Sequence, residues 1–200
     1  MKLLIAIPSN RDWKQEFALS LLQLALHLTK FPEIEATISA KKNISVLSAG
    51  RQEAIFQAIR ENHTHVLCLD DDMKFTPEAF DLLKNKDKDF VAANYLRKDG
   101  IPVSRGKKGE NDVEPVYSKG KNGIERVVFA GLGFCLIRVS SFKDIPAPHF
   151  EVKWNPHIQY YCGEDTEFCF LLSKHGIKIY VDHDSSKHVQ HIGDFYHHEN

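Results

Sequence analysis

The chain has 200 residues, 42% hydrophobic and 26% charged, which suits one well-cored domain and gives no reason to expect a second. Its 26 lysines and arginines against 27 aspartates and glutamates leave a formal net charge of -1, which excludes bulk electrostatic binding to nucleic acid or an anionic membrane and makes any phosphate contact local. The four cysteines lack the paired short spacing of a structural zinc site, and MKLLIAIPSN is too short an apolar run for a secretion signal or a membrane span, so a cytoplasmic protein with reduced thiols is expected.

Lys2 to Ile7 is an apolar run cut by Pro8, Ser9 and Asn10, which predicts a buried first strand ending in a loop. Asp12 is placed to cap a helix over Trp13 to Thr29, where Phe17, Leu21, Leu24, Ala25 and Leu28 recur at three- and four-residue steps. Glu33 to Ala40 reads as a second strand. Ser48 to Asn62 is a second helix with Ala54, Ile55, Ala58 and Ile59 as its stripe, and His65 to Leu69 is a third strand. Two strand–helix units feeding a third strand make a parallel βαβαβ half, and such crossovers are right-handed.

Thr76-Pro77-Glu78 is a helix start running to about Leu83, and Phe90 to Tyr95 is the next strand. Arg97 to Gly123 is polar and glycine-rich, so loop and hairpin are expected. Arg126 to Ala130 and Phe134 to Ile137 are strands around Gly131-Leu132-Gly133, where the two glycines signal either a bulge or a close approach by another group. His149 to Trp154 is an aromatic segment suited to one wall of a cleft. Gly163-Glu164-Asp165 opens a helix closed by Gly176, and Ile177 to Val181 is the last clear strand. Among the tail histidines, His197 and His198 read as a frayed terminus.

The stretch that carries chemistry is HVLCLDDDM, His65 to Met73. Three adjacent carboxylates cannot be buried unpaired, so the apolar strand before them must end at a wet edge or at a cation. In an extended chain Asp70 and Asp72 share a face and Asp71 points away, which makes the pair a two-oxygen clamp for Mg2+ or Mn2+. A solvated acidic turn is the plainer alternative; position at the carboxyl end of a strand in an open α/β sheet favours the clamp. Glu164 and Asp165, in a first helical turn, are by themselves ordinary partners of the helix dipole.

Taken together, the first strand ending in IPS, SAGRQEAIFQAI, LCLDDDM followed by TPEA, FAGLGFCLI, HFEVKW, GEDTEFCFLLSKHGIKIYVD and HIG resemble a compact glycosyltransferase of the GT-A fold, of bacterial, phage and viral type, over nearly the whole chain. The resemblance implies a Rossmann-like mixed α/β sheet flanked by helices, with a nucleotide-binding half over about 1–96 and an acceptor half over about 97–200. It implies a metal-dependent enzyme using a nucleoside-diphosphate sugar, UDP-sugar favoured, a glycan or glycoconjugate acceptor, and Mn2+ or Mg2+. Carried over to this chain, Asp72 is the direct metal ligand, Asp70 a partner of the donor ribose or of a metal-bound water, and His191, rather than His188, the late histidine ligand. Pro8, Ser9 and Arg51 fall where the base and phosphates sit, with a surface-helix role as the alternative for Arg51. Asp71, Gly131 and Gly133 complete the donor-binding set. Asp165 is the general base of an inverting transfer, or a sugar-binding group if configuration is retained, and Glu164 binds donor or acceptor. Many relatives carry an added domain or anchor, so the chain is also read as the catalytic part of something longer.

Two rivals remain at this level. A sugar nucleotidyltransferase also uses an α/β sheet and paired aspartates, but IPSNRDWK lacks the glycine-rich loop such enzymes carry after the first strand. A glycan- or sugar-nucleotide-binding module without activity is the other.

Overall fold

The structure is a computed structural model that describes residues 1–9, 12–41, 45–109, 112–156 and 159–193. In chain order the elements are β1 (Lys2–Pro8), α1 (Gln15–Leu28), β2 (Glu35–Lys41), α2 (Leu47–Arg60), β3 (His65–Leu69), β4 (Met73–Phe75), α3 (Pro77–Asn85) and β5 (Phe90–Ala93). There follow β6 (Arg105–Lys108), β7 (Asp112–Pro115), β8 (Ile124–Val127), β9 (Phe134–Arg138), β10 (Lys153–Asn155) and β11 (Tyr160–Cys162), then α4 (Glu164–Lys174), β12 (Ile179–Asp182), α5 (His183–Ser186) and β13 (Val189–His191). His197 and His198 lie outside the described residues.

Seven of the described strands form one sheet in the order β2-β1-β3-β9-β5-β12-β8. The first three are parallel, as the βαβαβ pattern predicts. β9 is antiparallel to both β3 and β5, β12 is parallel to β5, and β8 closes the far edge antiparallel to β12. The strand order reverses at β1, so its two crossovers run in opposite directions and right-handed connection puts α1 and α2 on opposite faces. Such a reversal opens a crevice at the carboxyl ends of β1 and β3.

Alternation along the strands feeds two cores. Leu4, Ala6, Val66 and Cys68 pack against α2 and α4, while Leu3, Ile5, Leu67 and Leu69 pack against α1 and α3. The four cysteines are free and three are buried, in keeping with reduced thiols. Among the described residues no helix is long and apolar enough to cross a membrane.

Several boundaries differ from the sequence reading. α1 begins at Gln15 with Lys14 at its N-cap, so Asp12 is not the cap. β8 lies two residues earlier than expected, leaving Val128 to Gly133 as the connection into β9. Two short ribbons, β4 with β13 and β10 with β11, were not foreseen as strands.

Candidate active site

The carboxyl ends of β1, β3, β5 and β12 and the amino end of antiparallel β9 lie along one edge of the sheet. That edge therefore gathers Pro8, Ser9, the Asp70–Asp72 triplet, Asn94, Tyr95 and Gly133. The helices α2 and α4 deliver two more charged groups to it from one face. Arg51 stands at the head of the stripe Arg51, Ala54, Ile55 and Ala58, and Asp165 heads the stripe Asp165, Phe168, Cys169 and Leu172, both at the i, i+3, i+4, i+7 spacing. Each charged group is thus turned inward by the apolar residues that follow it.

Arg51 is only 5% exposed. Its Nη2 donates to Asp70 Oδ1 at 2.7 Å, and its Nε lies 3.4 Å from Glu164 Oε1. Burial opposes the charged guanidinium, but Asp70, and further off Glu164, outweigh it and raise its pKa. The guanidinium is thereby committed to two carboxylates, and the exposed-helix alternative for Arg51 does not hold. Burial in turn pushes the Asp70 carboxyl above its ordinary range; Arg51 pulls it back and Asp72 adds to the rise. Asp165 is also held high, first by burial and then by the neighbouring Glu164, against a 2.7 Å hydrogen bond that Thr166 N–H donates to its Oδ1.

The triplet is a turn and not an extended continuation of β3, since Met73 N–H donates back to Asp70 O at 3.2 Å. Asp70 and Asp72 therefore do not share a face as an extended chain would require, and each carboxylate takes its own direction. Asp70 meets Arg51, buried Asp71 accepts from Ser9 Oγ at 2.5 Å across the β1–β3 crevice, and Asp72 Oδ2 lies 3.1 Å from His191 Nε2. Pro8 is the last residue of β1, one step before Ser9.

His191 reaches Asp72 because the chain doubles back. Asp182, fully buried at the end of β12, caps α5 by accepting from Ser185 N–H at 3.0 Å and pairs with Lys86 at 3.1 Å. β13 then runs antiparallel to β4 with His191 opposite Met73, and Ile192 N–H donates to Asp72 O at 2.7 Å. His188, by contrast, lies against Thr76, with its Nδ1 3.2 Å from Thr76 Oγ1.

Tyr95, read from the sequence only as the end of a strand, lies two residues past β5 and belongs to this edge. Its buried hydroxyl accepts from Gly133 N–H at 3.0 Å, and its ring lies 5.8 Å from the His191 ring. A Cβ on Gly133 would stand 2.4 Å from Tyr95 Oη and 3.0 Å from Asp70 Oδ2; one on Gly131 would stand 2.8 Å from the same hydroxyl. The glycines thus permit a close approach, and the approaching groups are the Tyr95 phenol and a carboxylate. Asn94, equally unforeseen, ties the end of β5 to the 104–118 segment, donating to Val116 O at 2.6 Å and accepting from Ser104 N–H at 3.3 Å.

The donor set at Asp72 and His191, one carboxylate oxygen and one imidazole nitrogen, suits a Mn2+-like ion. His191 Nδ1 is buried without a hydrogen-bond partner, and no group of three or more histidine, cysteine or acidic side chains is arranged to hold a metal among the described residues. Asp72 and His191 are the two described side chains that would hold such an ion here, and they stand in contact with each other.

No protein-family model matches the sequence, and no curated protein matches it. Solved structures do match the fold. A197 from STIV superposes with a TM-score of 0.59 at 22% identity, covering 90% of this chain and 81% of that one. GalNAc-T7, solved with UDP, GalNAc and Mn2+, has a TM-score of 0.59 at 10% identity over 98% of this chain and 44% of that one. S. aureus TarS 1-349, in complex with UDP, has a TM-score of 0.51 at 15% identity over 95% of this chain and 60% of that one. The chain spans less than two thirds of these last two proteins, and at such identities the likeness speaks for the fold alone. That fold is GT-A, a mixed α/β architecture around a seven-stranded sheet.

Proposed function

We propose that the protein is a glycosyltransferase that moves a sugar from a nucleoside-diphosphate donor, preferably a UDP-sugar, to a hydroxyl of a glycan, with Mn2+ or Mg2+ held by Asp72 and His191. The observation that carries this reading is that Asp70, Glu164 and, further off, Asp165 gather about buried Arg51, while the same turn sets Asp71 against Ser9 at the β1–β3 crevice and Asp72 against His191. Acidic groups in excess of the described basic ones invite a cation and, through it, a diphosphate. The presence of UDP in the TarS and GalNAc-T7 structures, and of Mn2+ in the latter, supports the same choice of donor and ion.

In this reading the nucleotide enters beside Pro8 and Ser9. Ser9 fixes Asp71 and Arg51 fixes Asp70, so the turn between them holds Asp72 toward His191. Asp72 and His191 would hold the ion, which when bound would supply positive charge against that developing on the departing diphosphate. A cavity of about 400 Å3, bounded by Tyr95, Leu96, Tyr117 and Val189, adjoins His191. Asp165 takes the proton of the acceptor hydroxyl; its raised pKa makes it a stronger base than an exposed aspartate, and transfer inverts the anomeric carbon. Glu164, anchored by Arg51, orients donor or acceptor beside it.

A glycan acceptor is favoured by the β10–β11 ribbon. Trp154 and Tyr161 sit opposite one another in register with ring centroids 5.2 Å apart, both exposed, and β11 leads through Gly163 into Glu164 and Asp165. Flat amphipathic rings next to the base offer a stacking surface for a pyranose. The test is incubation with UDP-, GDP- and dTDP-sugars and a glycan panel in Mn2+, reading the released product. Acceptor-dependent nucleoside diphosphate supports the proposal. Pyrophosphate release in a parallel incubation with UTP and a sugar 1-phosphate would replace it with nucleotidyl transfer, and donor binding without turnover on any acceptor would replace it with a binding module.

A further inference from the structure

α1 is apolar on both of its sides. Phe17, Leu21, Leu24 and Leu28 pack on the sheet, yet Leu19, Leu22 and Leu26 on the outer side are 50%, 56% and 60% exposed. No Asp, Glu, Lys or Arg occurs from Phe17 to Thr29. A helix that is hydrophobic all round is ordinarily covered on every side. The outer stripe has charged ends: Glu16, three residues before Leu19, is exposed at one, and Lys30, four residues after Leu26, is exposed in the turn at the other. Neither forms an ion pair among the described residues.

We propose that this face is a homodimer interface in which α1 packs antiparallel on α1 of a second copy. The stripe is complementary to itself in that orientation and in no parallel one. A two-fold axis passing between Leu22 and Gln23 sets Leu19 of each copy on Leu26 of the other. The same axis brings Glu16 of each copy to the turn that carries Lys30 of the other, while parallel packing would oppose like charges. Beside the C-terminal half of α1 an apolar groove of about 250 Å3, walled by Ala25, Leu28, Ile34 and Ile38, continues the apolar surface onto edge strand β2. A membrane surface fits less well. A helix lying on anionic lipid carries many basic residues on its flanks, whereas α1 carries no Lys or Arg from Phe17 to Thr29, and of the described lysines beside it Lys14 Nζ is 3.4 Å from Ile192 O and Lys84 Nζ lies over the Phe31 ring. One helix pair with its flanks is small against the roughly 800 Å2 per partner of a standard interface, so the dimer forms by mass action at high protein concentration.

The test is sedimentation velocity of the full chain over about two decades of concentration, with circular dichroism and melting curves as a check on folding. The wild type passes from monomer to dimer across that range. Leu22→Glu stays monomeric and folded. Glu16→Lys and Lys30→Glu each weaken association about tenfold, and the two together restore it, because the swapped charges again face one another. Should Leu22→Glu unfold, the charge swap decides alone. A wild type that is monomeric throughout, a Leu22→Glu variant that still dimerises, a double swap no better than either single, or a monomer that instead binds vesicles containing anionic lipid would each overturn the proposal.

Discussion

Replacing Arg51 by methionine tests the electrostatic frame of the site. The guanidinium is 5% exposed and holds Asp70 at 2.7 Å and Glu164 at 3.4 Å, while methionine fills most of the volume without the charge. Removing one partner of a buried ion pair costs about 3–5 kcal/mol, because the surviving charge stays buried without compensation. Each kcal/mol lowers the melting temperature of a domain this size by about 2–4 °C, so a fall of roughly 6–20 °C is expected. Urea titration at neutral pH, followed by circular dichroism, measures the loss directly, with the slope unchanged. The pH dependence gives a second reading. Burial already holds the Asp70 carboxyl above the ordinary carboxylate range against the pull of Arg51, and without Arg51 it rises further. A carboxyl whose folded pKa exceeds its unfolded one favours the fold while protonated and loses that contribution as pH rises through the folded value. The deficit of Arg51→Met should therefore shrink as pH is lowered from neutral toward that ordinary range, and Asp70→Asn in the same chain should recover part of it at neutral pH. A loss under about 1 kcal/mol, or one indifferent to pH, would refute the buried-charge reasoning.

Asp165→Asn should leave UDP affinity intact and slow transfer by about 10²–10⁴-fold, the usual contribution of a general base. Because burial and Glu164 raise the Asp165 pKa, and a base works only when ionised, kcat/KM of the wild type should fall on the acid side at a pH above that of an ordinary exposed aspartate; an acid limb at the ordinary aspartate position would remove Asp165 from that role. Gly133→Ala forces Tyr95 and Asp70 apart and should cost about 1–3 kcal/mol in a thermal melt while weakening UDP binding, whereas unchanged binding would detach these groups from the donor site. Trp154→Ala should raise the acceptor KM with donor affinity untouched, and a loss of donor affinity instead would move the ribbon out of the acceptor site.

The sheet half was legible because its signals are long. The apolar runs of β1 and β3 and the stripes of α1, α2 and α4 extend over enough residues for periodicity to speak. The DDD triplet was found for the same reason, as an abrupt end to an apolar run. Its geometry was not, because the alternation rule assumes an extended chain and these residues turn. The inward direction of Arg51 could have been read, since it stands three, four and seven residues before Ala54, Ile55 and Ala58. The pairing of β13 with β4 had no such signal: three-residue strands carry no period, and what brings His191 to Asp72 is a contact between segments more than a hundred residues apart. Tyr95 was hidden in an ordinary strand ending, although the glycines at 131 and 133 signalled that something comes close.

The most direct test of the central claim is calorimetric titration of UDP with and without Mn2+ into the wild type, Asp72→Ala and His191→Ala. The proposed site predicts UDP binding that requires Mn2+ in the wild type, is abolished in Asp72→Ala and is weakened in His191→Ala. Equal UDP affinity in all three proteins, with or without Mn2+, would contradict it.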